Sequence, residues 1–84
     1  MKAIARRPRV WEAQVPTDVP VLGNILDWPA KMQDVVYEAM ERIEVSYGVK
    51  LELVQAIGLR DENGPYAKIT VMEILTAKDV VIVQ

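Results

Sequence analysis

Residues 27–53, DWPAKMQDVVYEAMERIEVSYGVKLEL, contain the change of hydrophobic period that decides the fold. Up to Tyr47 the apolar residues Met32, Val36, Ala39, Met40, Ile43 and Tyr47 recur at spacings of three and four, which gathers them into one stripe of a helix. Lys31, Asp34, Glu38, Glu41 and Arg42 fall on the opposite side, with Glu38 and Arg42 four apart in the favourable order. Asp27 is the expected N-cap, Pro29 sits in the first turn where its missing N–H costs nothing, and Gly48 is the expected stop. The period then becomes two: Val49, Leu51, Leu53, Ile57 and Leu59 are expected on one strand face, and Lys50, Glu52 and Arg60 on the other.

Working outward, Asp61-Glu62-Asn63-Gly64-Pro65 reads as a turn, because Asn and Gly accept positive φ and Pro cannot donate to a ladder. Tyr66 to Leu75 returns as a strand, and a further strand is expected over residues 79–83. On the N-terminal side, Trp11, Ala13 and Val15 alternate with Val10, Glu12 and Gln14, which predicts a strand over residues 10–15. Residues 16–26, with two prolines and Gly23-Asn24, connect it to the helix at 27–47, and strands at 49–60, 66–75 and 79–83 follow. The expected architecture is α+β, β-α-β-β-β, one helix packed on an antiparallel sheet in a single domain of residues 1–84, preceded by a basic arm at 1–9.

Composition restricts the chemistry. The chain has no histidine and no cysteine, and Ser46 is its one serine. Ser46, Thr17, Thr70 and Thr76 therefore lack the usual activating base, and no zinc site can be written down. Glycines at 23, 48, 58 and 64 fit neither a dinucleotide fingerprint nor a P-loop, and the 61–64 segment lacks the later ligands of a calcium loop. No catalytic, cofactor-binding or metal-binding residue is expected, and neither is a cofactor. No apolar run reaches the roughly 18 residues of a membrane span, and the basic first residues lack an apolar core, so a cytoplasmic protein is expected.

What remains is surface. In the strand from Tyr66 to Leu75, Ile69 and Val71 share one face while Met72 and Ile74 lie on the other, so either a bulge near Val71 switches the faces or both are buried. One helix covers one face of a sheet. Val54, Met72, Ile74, Val81 and Val83 are therefore expected to form an oligomer face in a homodimer or larger assembly, the alternative being that the loop from Pro16 to Leu26 covers that face. Asp34, Glu38 and Glu41 surround Val45 on the polar side of the helix and make a candidate protein-partner surface. Lys2, Arg6, Arg7 and Arg9 precede the first acid and, with Trp11, make a candidate nucleic-acid arm on a body of net acidic charge. Trp11, Trp28 and Tyr66 can stack on bases or pack in the core.

The segment Arg6-Arg7-Pro8-Arg9-Val10-Trp11-Glu12-Ala13-Gln14 resembles the opening of small uncharacterised bacteriophage and prophage proteins, which share basic residues, Pro, a Val-rich strand, Glu-Ala and a nearby Gln. Here Gln14 follows Ala13 directly where that group places a residue between, and no later Pro-Gly-Asp segment occurs. The order strand, helix, hairpin is also similar in topology to the dodecins, small acidic flavin-holding assemblies, though the terminal strand departs from them. The expected function is a non-catalytic interaction or assembly module, phage-encoded by that resemblance and acting on a host or viral protein. The alternatives are nucleic-acid binding through the arm, and an enzyme or cofactor-holding assembly using tyrosine and carboxylates.

Overall fold

The computed structural model describes residues 2–5, 7–76 and 80–83, the first and last of these groups by backbone. In chain order the elements are β1 (Lys2–Ala5), β2 (Val10–Pro16), a 3-10 turn (Ile25–Asp27), α1 (Ala30–Tyr47), β3 (Leu51–Asp61), β4 (Gly64–Glu73) and β5 (Val80–Val83). β2, β4 and β3 form an antiparallel sheet in that spatial order, with α1 packed on one face, and β1 pairs with β5 in a separate two-stranded ribbon. The protein is α+β, as expected. The strand within the first nine residues is the addition.

The helix begins later than Asp27. Trp28 precedes a proline, which disfavours the helical region for it, and it is extended at φ −75°, ψ 155°. Pro29 is the N-cap and offers no capping side chain. Its carbonyl accepts from Met32 and Gln33, while the Gln33 side-chain amide donates back to the Leu26 and Trp28 carbonyls. Asn24 caps the 3-10 turn instead, its side chain accepting from the Leu26 N–H. At the other end Gly48 is left-handed at φ 65°, as expected, and its N–H closes on the Glu44 carbonyl. Met32, Val36 and Met40 are the buried residues of the stripe, with Ala39 and Ile43 against them.

β4 alternates without interruption: Ala67, Ile69, Val71 and Glu73 are buried under the helix, whereas Tyr66, Lys68, Thr70 and Met72 face the opposite side. β4 itself carries no bulge at Val71. The irregularity is in β3, where Leu53 stands opposite Val71 and Gln55 opposite Thr70, leaving Val54 as the extra residue. Because the side-chain period is two, one inserted residue exchanges the faces of everything after it. Leu51 and Leu53 therefore share the helix side with Ala56 and Gly58, while Ile57 and Leu59 move to the open side with Glu52 and Gln55. The expected single face of Leu51, Leu53, Ile57 and Leu59 is thus corrected, and Arg60 joins the register of Gly58. The turn closes at Gly64, φ 111°, with the Asp61 carboxylate accepting from the Asn63 N–H in place of a left-handed Asn63.

The buried core joins Val15, Val21, Trp28, Met32, Val36, Met40, Leu51, Ala67, Ile69 and Val71. Ile69, Val36 and Val71 are the largest of the wholly buried side chains, each worth roughly 1.5–3 kcal/mol of burial. The loop 17–24 contributes Val21, whose carbonyl carbon and oxygen press on Gly58: a Cβ there would lie 1.7 Å from that oxygen. Gly58 stands opposite the buried Ala67, so the loop crosses β3 on the helix side. Asp18 and Lys31 tie the same loop to the first helical turn at 2.6 Å, and the hydrogen bond with the carboxylate's charge raises the Lys31 ammonium above its ordinary range. The expected alternative, a loop across the open face, is therefore corrected: helix and loop lie on one side, and neither covers the other.

The ribbon is formed by the segments on either side of the β2–β4 pair in the chain. Val10 stands opposite Met72, Arg9 accepts from the Glu73 N–H at 2.8 Å, and beyond them Ala5 stands opposite Val80 and Lys2 opposite Val83. The molecule is consequently 54 Å long and 23 Å in each other dimension.

Candidate interaction surfaces

The open face of the sheet is read across the strands. Val10, Met72 and Glu52 form its first row; Glu12, Thr70 and Gln55 the second; Gln14, Lys68 and Ile57 the third; Pro16, Tyr66 and Leu59 the last. Lys68 and Glu12 pair across it at 3.8 Å. Val10, Ile57 and Leu59 are exposed, and Tyr66 and Met72 are half-buried. Of the residues expected in an oligomer face, Met72 lies here; Val54 is the exposed bulge residue; Ile74 follows the end of β4, also exposed; and Val81 and Val83 belong to the ribbon. They do not form one patch. Val10, Ile57, Leu59 and Tyr66 stand on the open face with Met72, and the bulge that turns two of them outward has no signature in the alternation.

At the C-terminal half of α1 a groove of about 1210 Å³ opens toward the start of β3, lined by Tyr37, Met40, Val45, Leu53 and Ile74 among its apolar residues and by Glu41, Glu44, Glu52 and Glu73 among its acids. Two of those carboxylates are engaged. Glu44 accepts from the Leu51 N–H at 2.9 Å, and Glu73, whose side chain is 3% exposed, meets the Arg9 guanidinium at 3.3 and 3.4 Å and the Arg9 N–H at 3.2 Å. The same guanidinium lies 5.3 Å over the Trp11 ring, and Trp11 contacts Tyr47 at 5.1 Å between ring centres. One end of the sheet thus carries a charge pair and a tilted aromatic pair.

That arrangement places the candidate nucleic-acid arm. Arg9 is occupied by Glu73 and Trp11 by Arg9 and Tyr47; Lys2 is in β1; Arg7 is exposed just before β2; Arg6 lies outside the described residues. Trp28 is buried and its indole N–H donates to the Leu22 carbonyl at 3.0 Å, which makes it a core anchor. Asp34, Glu38, Glu41 and Val45 are all exposed along α1, and Glu38, Glu41 and Val45 line a shallow cleft of about 580 Å³ with Arg42 and Ser46.

Arg9→Met is expected to lower stability by roughly 1–2 kcal/mol, since it takes one cation from beside the buried Glu73 carboxylate while the half-exposed guanidinium limits the gain that is lost. Urea unfolding measures it. Removing the carboxylate as well, in Arg9→Met/Glu73→Met, is expected to recover part of the loss.

Among the described residues no group of three or more acidic side chains is placed to hold a metal ion, and no helix is long and apolar enough to cross a membrane. No protein-family model matches the chain, and neither does any curated protein or solved structure.

Proposed function

We propose that this protein is a non-catalytic interaction and assembly module that binds protein through the open face of its β2-β4-β3 sheet. The observation that carries this reading is the placement of α1 and the 17–24 loop on the same side, which leaves Val10, Ile57, Leu59, Tyr66 and Met72 without a layer over them. Antiparallel sheets tolerate one wet face, but that face is then normally polar in alternation. Here apolar side chains stand in the first, third and last rows, with Thr70, Gln55 and Gln14 between them and the Lys68–Glu12 ion pair crossing the centre. A mixed apolar and polar surface of this kind suits protein recognition, where desolvated apolar contacts supply affinity and polar groups set register.

The test replaces Ile57 and Leu59 together by lysine. Both are on the surface, so the fold should survive, checked by far-UV circular dichroism. Loss of self-association in sedimentation velocity, or of proteins retained from bacterial lysate, is expected relative to the unsubstituted chain. Unchanged mass together with an unchanged set of retained proteins would end this reading.

A further inference from the structure

We infer that the β1–β5 ribbon is a dimerisation arm whose β5 edge pairs antiparallel with the β5 of a second copy. This deepens the assembly reading above and rests on it, but uses a different surface.

The inference begins from the four strand edges. β3 is blunted twice, by the Val54 bulge and by Glu44, which takes the Leu51 N–H at the strand's start. β2 ends on Pro16, which has no N–H to offer, and β1 begins with Lys2, the kind of charge that discourages pairing at an edge. β5, Val80-Val81-Ile82-Val83, carries no charge, proline, glycine or bulge, and every residue in it is β-branched. Three edges have a device that resists pairing, and β5 has none.

The ribbon also needs another strand. Two strands of four residues make a marginal sheet, and three or more are needed for independent stability. Among the described residues β1 and β5 have no other partner in their sheet. An uncharged β-branched strand is complementary to itself, and antiparallel pairing of identical strands closes a two-fold dimer with strand order β1-β5-β5-β1 and no further growth through the lysine-bearing outer edges.

The absence of native cysteine makes the test clean. Val80→Cys, Val81→Cys, Ile82→Cys and Val83→Cys are made singly in the full chain, with Ser46→Cys on the exposed helix and Ala3→Cys in β1 as references. Under a mild oxidant, only the one or two β5 positions beside the two-fold axis bring Cα atoms within disulfide reach, so covalent dimer should form there and not at Ser46 or Ala3. Val81→Lys should convert the native dimer to monomer in intact-complex mass spectrometry while leaving the circular dichroism of the helix unchanged. Cross-linking no faster at β5 than at Ser46, preferential cross-linking at Ala3, or a dimer that survives Val81→Lys overturns the inference. If that surviving dimer is instead lost on replacing Ile57 and Leu59 by lysine, ribbon pairing fails and the open-face reading stands. A wild-type chain that is monomeric at every concentration and retains no protein from lysate removes both.

Discussion

Trp28→Ala is expected to cost about 3–5 kcal/mol, the usual range for truncating a buried tryptophan. In a domain of this size that corresponds to a fall in Tm on the order of 15–30 °C, read by thermal unfolding at 222 nm. The indole is 4% exposed and sits where the 3-10 turn, the proline N-cap and the sheet meet. Its ring belongs to the same buried core as Val21, Met32 and Val36, and its N–H donates to the Leu22 carbonyl. The loss thus has two parts. Trp28→Phe keeps most of the ring and gives up the hydrogen bond, so it should cost about 1–2 kcal/mol; a loss equal to that of alanine would mean that the hydrogen bond, not the packing, secures the loop.

Gly58→Ala is expected to destabilise by on the order of 3 kcal/mol, although it adds one methyl group. The backbone dihedral is not the reason, because Gly58 is not among the glycines of positive φ. Space is. The new Cβ would lie 1.7 Å from the Val21 carbonyl oxygen and 2.7 Å from its carbon, and both are backbone atoms that cannot rotate away. The loop must lift from β3, which also loosens Val21 in the core. Trimming the neighbour should not help: Val21→Ala/Gly58→Ala is expected to be no more stable than Gly58→Ala alone. Recovery in the double variant would show that the side chain, 3.0 Å away at its Cγ2, is the obstacle instead. Chemical denaturation of the two variants beside the unsubstituted chain decides it.

These two residues mark the border of what pattern alone can reveal. Trp28 is legible as an apolar residue beside a helix start, yet its burial depends on being extended before Pro29, which moves the helix start from Asp27 to Ala30. Gly58 reads as one more glycine in a strand. Only the approach of a loop more than thirty positions away explains it. The acidic helix residues Asp34, Glu38 and Glu41 were placed correctly on the solvent side, because that side follows from helical angle. The pairing of Arg9 with buried Glu73 was not anticipated, since it joins positions 64 residues apart.

By itself the sequence determined the local elements: the helical stripe of Met32, Val36 and Met40, its stop at Gly48, the turn before Gly64, and an α+β class without histidine or cysteine chemistry. Those follow from periodicity and from backbone preferences that act within a few residues. The tertiary structure decided which faces are covered. One extra residue at Val54 turned Ile57 and Leu59 outward, the contact of Val21 with Gly58 placed the loop on the helix side, and β5 paired with β1 in a ribbon separate from the three-stranded sheet. Each of these depends on strand register and on meetings between distant segments, and neither is encoded in the spacing of residues along one strand.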